Sequence, residues 1–192
     1  MNKKEQYELD FWKEHGFHNY GVEFYIKKHD GRLNEFNELY KLPDNPDRSL
    51  EIGCGPFGGM SMSYGAKEWT LLDPLADEYL KVVTTEHEFI SSGIEEMPLD
   101  DDSFDVIFCC NALDHADDYV MGIKEMHRVI KKDGLLCVLV HCRKREEIND
   151  GHPHSFSYDD IKKHFTDSGF SFVGINEYHD CYDTLMSVLR KD

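Results

Sequence analysis

SLEIGCGPFGG, residues 49 to 59, sets a short apolar run against four glycines and places an acid, Glu51, just ahead of the first of them. In a strand-to-helix turn, glycine admits positive φ and lets a ligand lie against bare backbone, while the helix that follows offers unpaired N–H groups to an anion. Gly53, Gly55 and Gly58 satisfy G-x-G-x-x-G, and Asp73 follows Gly53 by 20 residues at the end of the next apolar run. Dinucleotide-binding folds share both features, so the glycines alone leave the ligand open. Glu51 narrows the choice, because a carboxylate beside the turn repels a pyrophosphate and suits an ammonium or a sulfonium.

Outward from this stretch, short apolar runs alternate with amphipathic segments, the pattern of repeated βα units around a mostly parallel sheet. SLEIG leads to a helical stretch near Gly58 to Ala66, EWTLLD to ADEYLKVVT, HEFIS to the acidic turn LDDDSFD, and FDVIFCC to a helix from about Tyr119 to Lys131. In that helix Val120, Ile123, Met126 or His127, and Ile130 fall on one face. LLCVLVH follows; Ser157 with Asp160 three residues on marks a helix start, Tyr158, Ile161 and Phe165 line its apolar side, and Gly169 stops it. FSFVGI and LMSVL close the chain as two further strands. Phe104, in the acidic turn, packs inward. Residues 1 to 47 differ in kind, being aromatic and in places helical, and end in PDNPD. They are read as an N-terminal cap, core by default, whose Phe11, Trp12, Phe24 and Tyr25 also suit a lid over a substrate; residues 48 to 192 form the one domain proper.

With 192 residues the chain buries one sizeable core. It carries 21 Lys plus Arg against 38 Asp plus Glu, a net charge of −17 that repels phosphate backbones and excludes nucleic acid and anionic membranes as partners. A small molecule is the expected partner. The N-terminus has no apolar signal core, and no run approaches the roughly 20 residues that span a bilayer, so the expected location is the cytoplasm. Cys54, Cys109, Cys110, Cys137, Cys142 and Cys181 show no C-x-x-C spacing and read as small buried hydrophobes.

A ligand that is cationic near the loop and carries a ribose for Asp73 is what these residues ask for, and S-adenosylmethionine meets both demands. LEIGCGPFGG, LLDP, GIEEMPLDDDSFDVIFCCNALDHADD and EMHRVIKKDGLLCVLV together resemble the successive motifs of class I S-adenosylmethionine-dependent methyltransferases, in particular the small single-domain ones of the methyltransferase type 11 kind. The resemblance runs from about Arg48 to Val140. It implies a Rossmann-like, doubly wound seven-stranded sheet, mostly parallel with the last strand antiparallel, and S-adenosylhomocysteine as product. It also implies that Glu51, Gly53, Cys54 and Gly55 hold the methionine portion, that Asp73, followed by Pro74, takes the ribose hydroxyls, and that Ile94 and Glu95 frame the adenine. Asn111 is implied at the floor of the transfer site. Two departures stand out. Gly93 replaces an acid that bonds the adenine amino group in many members, a contact left to Glu95, and the usual P-G-G at the end of the helix before the fifth strand is here Asp133–Gly134, with one glycine serving as helix C-cap.

Methyl transfer from a sulfonium is an in-line displacement whose leaving group needs no acid, so a general base matters only where the acceptor, an oxygen or a nitrogen, loses a proton. His141 and His115 point by topology to the carboxyl edge of the sheet, and His154, with His152 in GHPHSF, lies in a loop over the same edge. These are the candidate bases. No metal is expected, since His141, His152 and His154 with Asp114 or Asp117 match no ligand pattern. Two other readings remain open: a non-catalytic module that keeps the cofactor pocket, and an NAD-dependent oxidoreductase resting on G-x-G-x-x-G alone.

Overall fold

A computed structural model describes residues 3–14, 21–142, 148–149, 151–179 and 183–192. The apolar runs form a seven-stranded sheet because the central strands are covered on both faces, which is what a nearly unbroken run of Val, Ile, Leu and Phe demands. The strands are β1 (Arg48–Ile52), β2 (Glu68–Leu72), β3 (Glu88–Ile90), β4 (Phe104–Cys110), β5 (Ile130–His141), β6 (Phe170–His179) and β7 (Asp183–Lys191). Their order is β3-β2-β1-β4-β5-β7-β6. The first five run parallel, and β7 runs against both of its neighbours. The chain leaves β1 toward β2 and β3, then returns to lay β4 on the other side of β1. That reversal opens a crevice at the carboxyl ends of β1 and β4, the place where open α/β sheets bind ligands.

The helices are α1 (Lys3–Phe11), α2 (Gly21–Leu39), α3 (Ala76–Tyr79), α4 (Tyr119–Val129) and α5 (Tyr158–Asp167). On one face of the sheet, Leu50, Ile107 and Leu136 pack on Ile123 and Met126 of α4 and on Ile161 and Phe165 of α5. Each such burial stabilises by about 1.5–3 kcal/mol. On the other face Phe108 meets the rings of Phe36, Tyr64 and Trp69 at 6.1, 5.2 and 6.0 Å. Phe36 belongs to α2 and is fully buried, so the N-terminal segment supplies part of the cover of this face.

Three boundaries depart from the sequence reading. The helix expected from Gly58 to Ala66 is a single 3-10 turn over Gly59–Met62, which follows two left-handed glycines. ADEYLKVVT gives only the four residues of α3 before the chain straightens toward β3. The helix expected to reach Lys131 ends at Val129, Ile130 is already extended, and the left-handed residue is Asp133 rather than Gly134. Gly134 is therefore no helix cap; a Cβ there would lie 2.8 Å from the Lys131 carbonyl oxygen, so the irregular stretch within β5, where its register against β4 shifts, needs bare backbone. Elsewhere the local signals hold. Ser157 Oγ accepts from the Asp160 N–H at 3.1 Å, Gly169 stops α5 at φ 91°, and Phe104 is fully buried while Asp101 and Asp102 are exposed.

Cys54, Cys109, Cys110, Cys137 and Cys142 are free and buried; Cys181 lies outside the described residues. Among the described residues no helix is long and apolar enough to cross a membrane.

Candidate functional site

The turn after β1 is built around its acid. Glu51, on β1, is 1% exposed, and its Oε2 accepts the Met60 N–H at 3.0 Å. That N–H belongs to the helical turn that would otherwise offer itself to an anion. Gly59, at φ 56°, leaves the space the carboxyl needs, because a Cβ there would stand 2.5 Å from Glu51 Oε1. Burial pushes the Glu51 carboxyl well above the usual carboxylate range, with the Met60 N–H and the Arg32 charge opposing. Gly53, at φ 66°, lets the turn after β1 press on the turn after β4, where a Cβ would meet the Ala112 Cβ at 2.3 Å.

At the end of β2, Asp73 is held by two backbone donors, Gly55 N–H at 3.0 Å and Leu75 N–H at 2.9 Å. Its carboxyl is 7% exposed, and burial raises its pKa to about 6 against the pull of those two N–H groups. After β4, Asn111 turns left-handed at φ 55°, and its buried Oδ1 has no hydrogen-bond partner among the described residues.

These ends open on one cavity of about 640 Å³, within the roughly 300–1,000 Å³ of small-molecule sites. Glu51, Gly53, Cys54, Gly55, Asp73, Pro74, Ile94, Glu95 and Asn111 all line it. Glu95 reaches across to the loop before α4, where its Oε1 accepts from Asp117 N–H at 2.6 Å, while its Oε2 stands where a side chain on Gly93 would begin, 2.8 Å from that Cβ position.

Of the histidines, His115, His141 and His152 line the cavity. His141 Nδ1 lies 2.9 Å from Thr184 Oγ1 on β7. His115 Nδ1 is 3.3 Å from Glu8 Oε1, His152 Nε2 is 3.9 Å from Asp114 Oδ2, and the two rings lie 4.3 Å apart. His154 departs from expectation. It does not line the cavity; its Nε2 sits 2.7 Å from the Ala116 carbonyl oxygen, and its ring packs between Tyr119 and Phe156. The donor atoms of Asp114, His115 and His152 all lie within 4.8 Å of one another, close enough to share a metal ion. The sequence had grouped His141, His152 and His154 instead.

The opposite wall comes from α1 and α2. Trp12 lies over Gly55, whose Cβ would be 2.9 Å from the indole, and its ring meets Tyr25 and Phe57 at 5.5 and 6.1 Å. Glu8, Lys28, His29 and Arg32 line this wall and escaped the sequence reading. The available signal was periodicity: Tyr25, His29, Arg32 and Phe36 fall at i, i+4, i+7 and i+11, a core-facing stripe with polar residues at its middle.

The methyltransferase domain family matches residues 50–138. A Schizosaccharomyces pombe protein described as an uncharacterized methyltransferase is 29% identical over 137 residues, covering 61% of this chain and 49% of its own. An uncharacterized protein of Methanocaldococcus jannaschii is 26% identical over 132 residues, covering 68% of this chain and 58% of its own. The chain thus spans about half the length of these two curated relatives. A chain of the complex between the Haloferax volcanii Trm112 methyltransferase activator and its methyltransferase superposes on 100% of this chain and 98% of its own, with a TM-score of 0.72 at 16% identity, which is a likeness of fold. Over residues 50–138, the strands that carry the glycine turn, Asp73 and Asn111, the chain is thus similar to the methyltransferase domain, and its fold is that of the class I S-adenosylmethionine-dependent methyltransferases.

Proposed function

We propose that the chain transfers a methyl group from S-adenosylmethionine to an oxygen or nitrogen of a small-molecule acceptor, by way of the cavity at the carboxyl ends of β1, β2 and β4. The observation that carries this reading is the Glu51 carboxyl, which takes the Met60 N–H that a pyrophosphate would need and sets a buried acid in its place. The same contact weighs against an NAD-dependent oxidoreductase. S-adenosylmethionine, when bound, supplies an electrophilic methyl group on a sulfonium.

The residues present fit that group. Glu51 and the unpartnered Asn111 Oδ1 suit its cationic end, and Asp73 keeps lone pairs on both oxygens for ribose hydroxyls after its two backbone bonds. Ile94 and Glu95 bound the cavity where an adenine would lie, with the Glu95 carboxyl standing in for an acid at Gly93. Trp12, Tyr25 and Phe57 exclude water above the glycine turn, which makes residues 1–47 a lid on a domain of residues 48–192. His115 and His141 are the bases that would take a proton from a hydroxyl acceptor, and His152 joins them by position. Five free, buried thiols suit a cytoplasmic setting.

Two measurements test the reading. Calorimetric titration with S-adenosylmethionine, S-adenosylhomocysteine and NAD should show the first two binding and the third not; NAD binding alone would sink it. Conversion of S-adenosylmethionine to S-adenosylhomocysteine with an acceptor present separates an enzyme from a module that only binds. A protein subunit, such as the Haloferax chain has in its Trm112 complex, is a second reading favoured by the full-length likeness; unchanged turnover on adding a Trm112-type subunit would remove it.

A further inference from the structure

We infer that the α2 wall of the cavity is a binding subsite for a small oxyanion, carboxylate or phosphate, and that the methyl acceptor carries it; the inference rests on the proposed methyltransferase site. Lys28, His29 and Arg32 present two cations and an imidazole to one cavity. In a chain with a net charge of −17, neither Lys28 nor Arg32 has a carboxylate in ion-pair contact among the described residues. By contrast Lys4, the other cation lining this cavity, is bound to Asp117 at 2.6 Å.

His29 is the second observation. It is 8% exposed on the core-facing stripe of α2, and its buried Nδ1 has no hydrogen-bond partner among the described residues. Buried polar atoms are nearly always satisfied, and one that is not, on the wall of a cavity, is satisfied by what enters the cavity. The stripe position calls for a hydrophobe, so an unpartnered His29 beside Arg32 is a local cost with no local return.

The electrostatics agree. Partial desolvation at the cavity wall and the Arg32 charge lower the Lys28 ammonium to about pKa 8 although its side chain stays exposed, and burial with Arg32 and Lys28 lowers His29 to about 4. The like charges of Arg32 and Lys28 add to the effect of burial, against a smaller opposing pull on His29 from Asp30. The facing wall is acidic, through Glu51, Asp73 and Asp114, and suits a ligand with a sulfonium and an ammonium. A cofactor of net positive charge has no use for two further cations, whereas an anionic acceptor completes the cavity and brings its nucleophile against the sulfonium side. A carboxylate is also present on the cofactor's own methionine portion, so the test separates the two sources.

The full chain, saturated with S-adenosylhomocysteine, is titrated calorimetrically with succinate, benzoate and inorganic phosphate, and with the uncharged succinamide and benzamide. At least one anion should bind and the amides should not. Arg32→Gln should weaken that anion at least tenfold and Lys28→Gln with Arg32→Gln should abolish it, while Lys27→Gln, an exposed cation of the same helix outside the cavity, should leave it unchanged. S-adenosylhomocysteine affinity should stay within twofold throughout, and equal melting temperatures exclude misfolding. A tenfold loss of S-adenosylhomocysteine affinity in Arg32→Gln, with 5′-methylthioadenosine unaffected, would assign the subsite to the cofactor's carboxylate and overturn the acceptor assignment. Anions that fail to bind, or that bind the double variant equally well, would overturn the subsite itself. If S-adenosylhomocysteine does not bind the unaltered chain, the methyltransferase reading fails instead, and anion titration of the ligand-free chain still decides the subsite.

Discussion

The two walls of the cavity are built on opposite plans. On the strand side, Glu51 is held by the Met60 N–H of the turn that follows it, and Asp73 by the Leu75 N–H of its own turn and the Gly55 N–H of the turn after β1. On the helix side, the buried Nδ1 of His29 has no hydrogen-bond partner among the described residues, and Arg32 and Lys28 lie close enough for their charges to act on it. The strand wall is thus preorganised by the peptide that also makes the fold, whereas the helix wall is polar without being satisfied. Preorganised groups serve a reaction common to many chains on one fold, and unsatisfied groups on an added helix are where one chain's specificity is expected.

The largest effect that would sharpen this contrast is on turnover. If the acceptor is a hydroxyl, His115→Ala or His141→Ala should lower the rate by roughly 10²–10⁴-fold, the usual worth of a positioned base, while cofactor affinity stays within a few-fold in calorimetry. An unchanged rate in either variant removes that histidine from the mechanism. Next is Asp73→Ala, which should weaken S-adenosylhomocysteine binding by about 100-fold, on the order of two hydrogen bonds to a charged group. Unaltered affinity would break the assignment of the strand wall to the ribose.

The third effect is on stability against pH. Asp73 has a folded pKa of about 6 against an ordinary 3.8, so between these values the native chain holds the proton more tightly than the unfolded one. Stability is therefore unpenalised below about pH 4 and falls as the pH rises to 6, by up to roughly 3 kcal/mol for one such carboxyl. Melting curves of the ligand-free chain should show this decline, and Asp73→Asn should flatten it. A parallel decline in the variant would assign the slope to other groups. The smallest effect is that of Gly59→Ala, which should cost about 1–2 kcal/mol for a left-handed alanine and in addition displace the Glu51 carboxyl. Denaturant unfolding measures it, and a neutral outcome would mean that the strand wall yields more readily than its geometry suggests.

The difference between the walls also explains what could be read from the sequence. FDVIFCC and LLCVLV, buried on both faces, announce central parallel strands by composition alone, and SLEIG before a glycine turn fixes where the crevice opens. The site residues on those strand ends needed only local order, since Glu51, Asp73 and Asn111 each sit within one residue of the end of a strand. The helix wall depended on packing between segments far apart in sequence. Periodicity places His29 and Arg32 on a buried stripe but is silent on whether that stripe meets apolar sheet or a cavity. His154 failed for a related reason: its loop does cross the carboxyl edge, yet the Ala116 carbonyl and the rings of Tyr119 and Phe156 turn the imidazole aside. The post-β1 helix was misjudged because α2, from the other end of the chain, covers part of the same face and leaves a single turn sufficient there.

The buried Glu51 has one more consequence, in the heat that binding evolves. Burial raises the pKa of the Glu51 carboxyl and a cation beside it lowers that pKa again, so a cationic ligand entering this cavity draws off whatever proton the group holds at the working pH. The calorimetric enthalpy then includes the ionisation enthalpy of whatever buffer accepts that ion, and titrations in phosphate and in Tris should differ by it in proportion to the protons released. Affinity should climb with pH for the same reason, giving a proton count for the cavity without any knowledge of the acceptor.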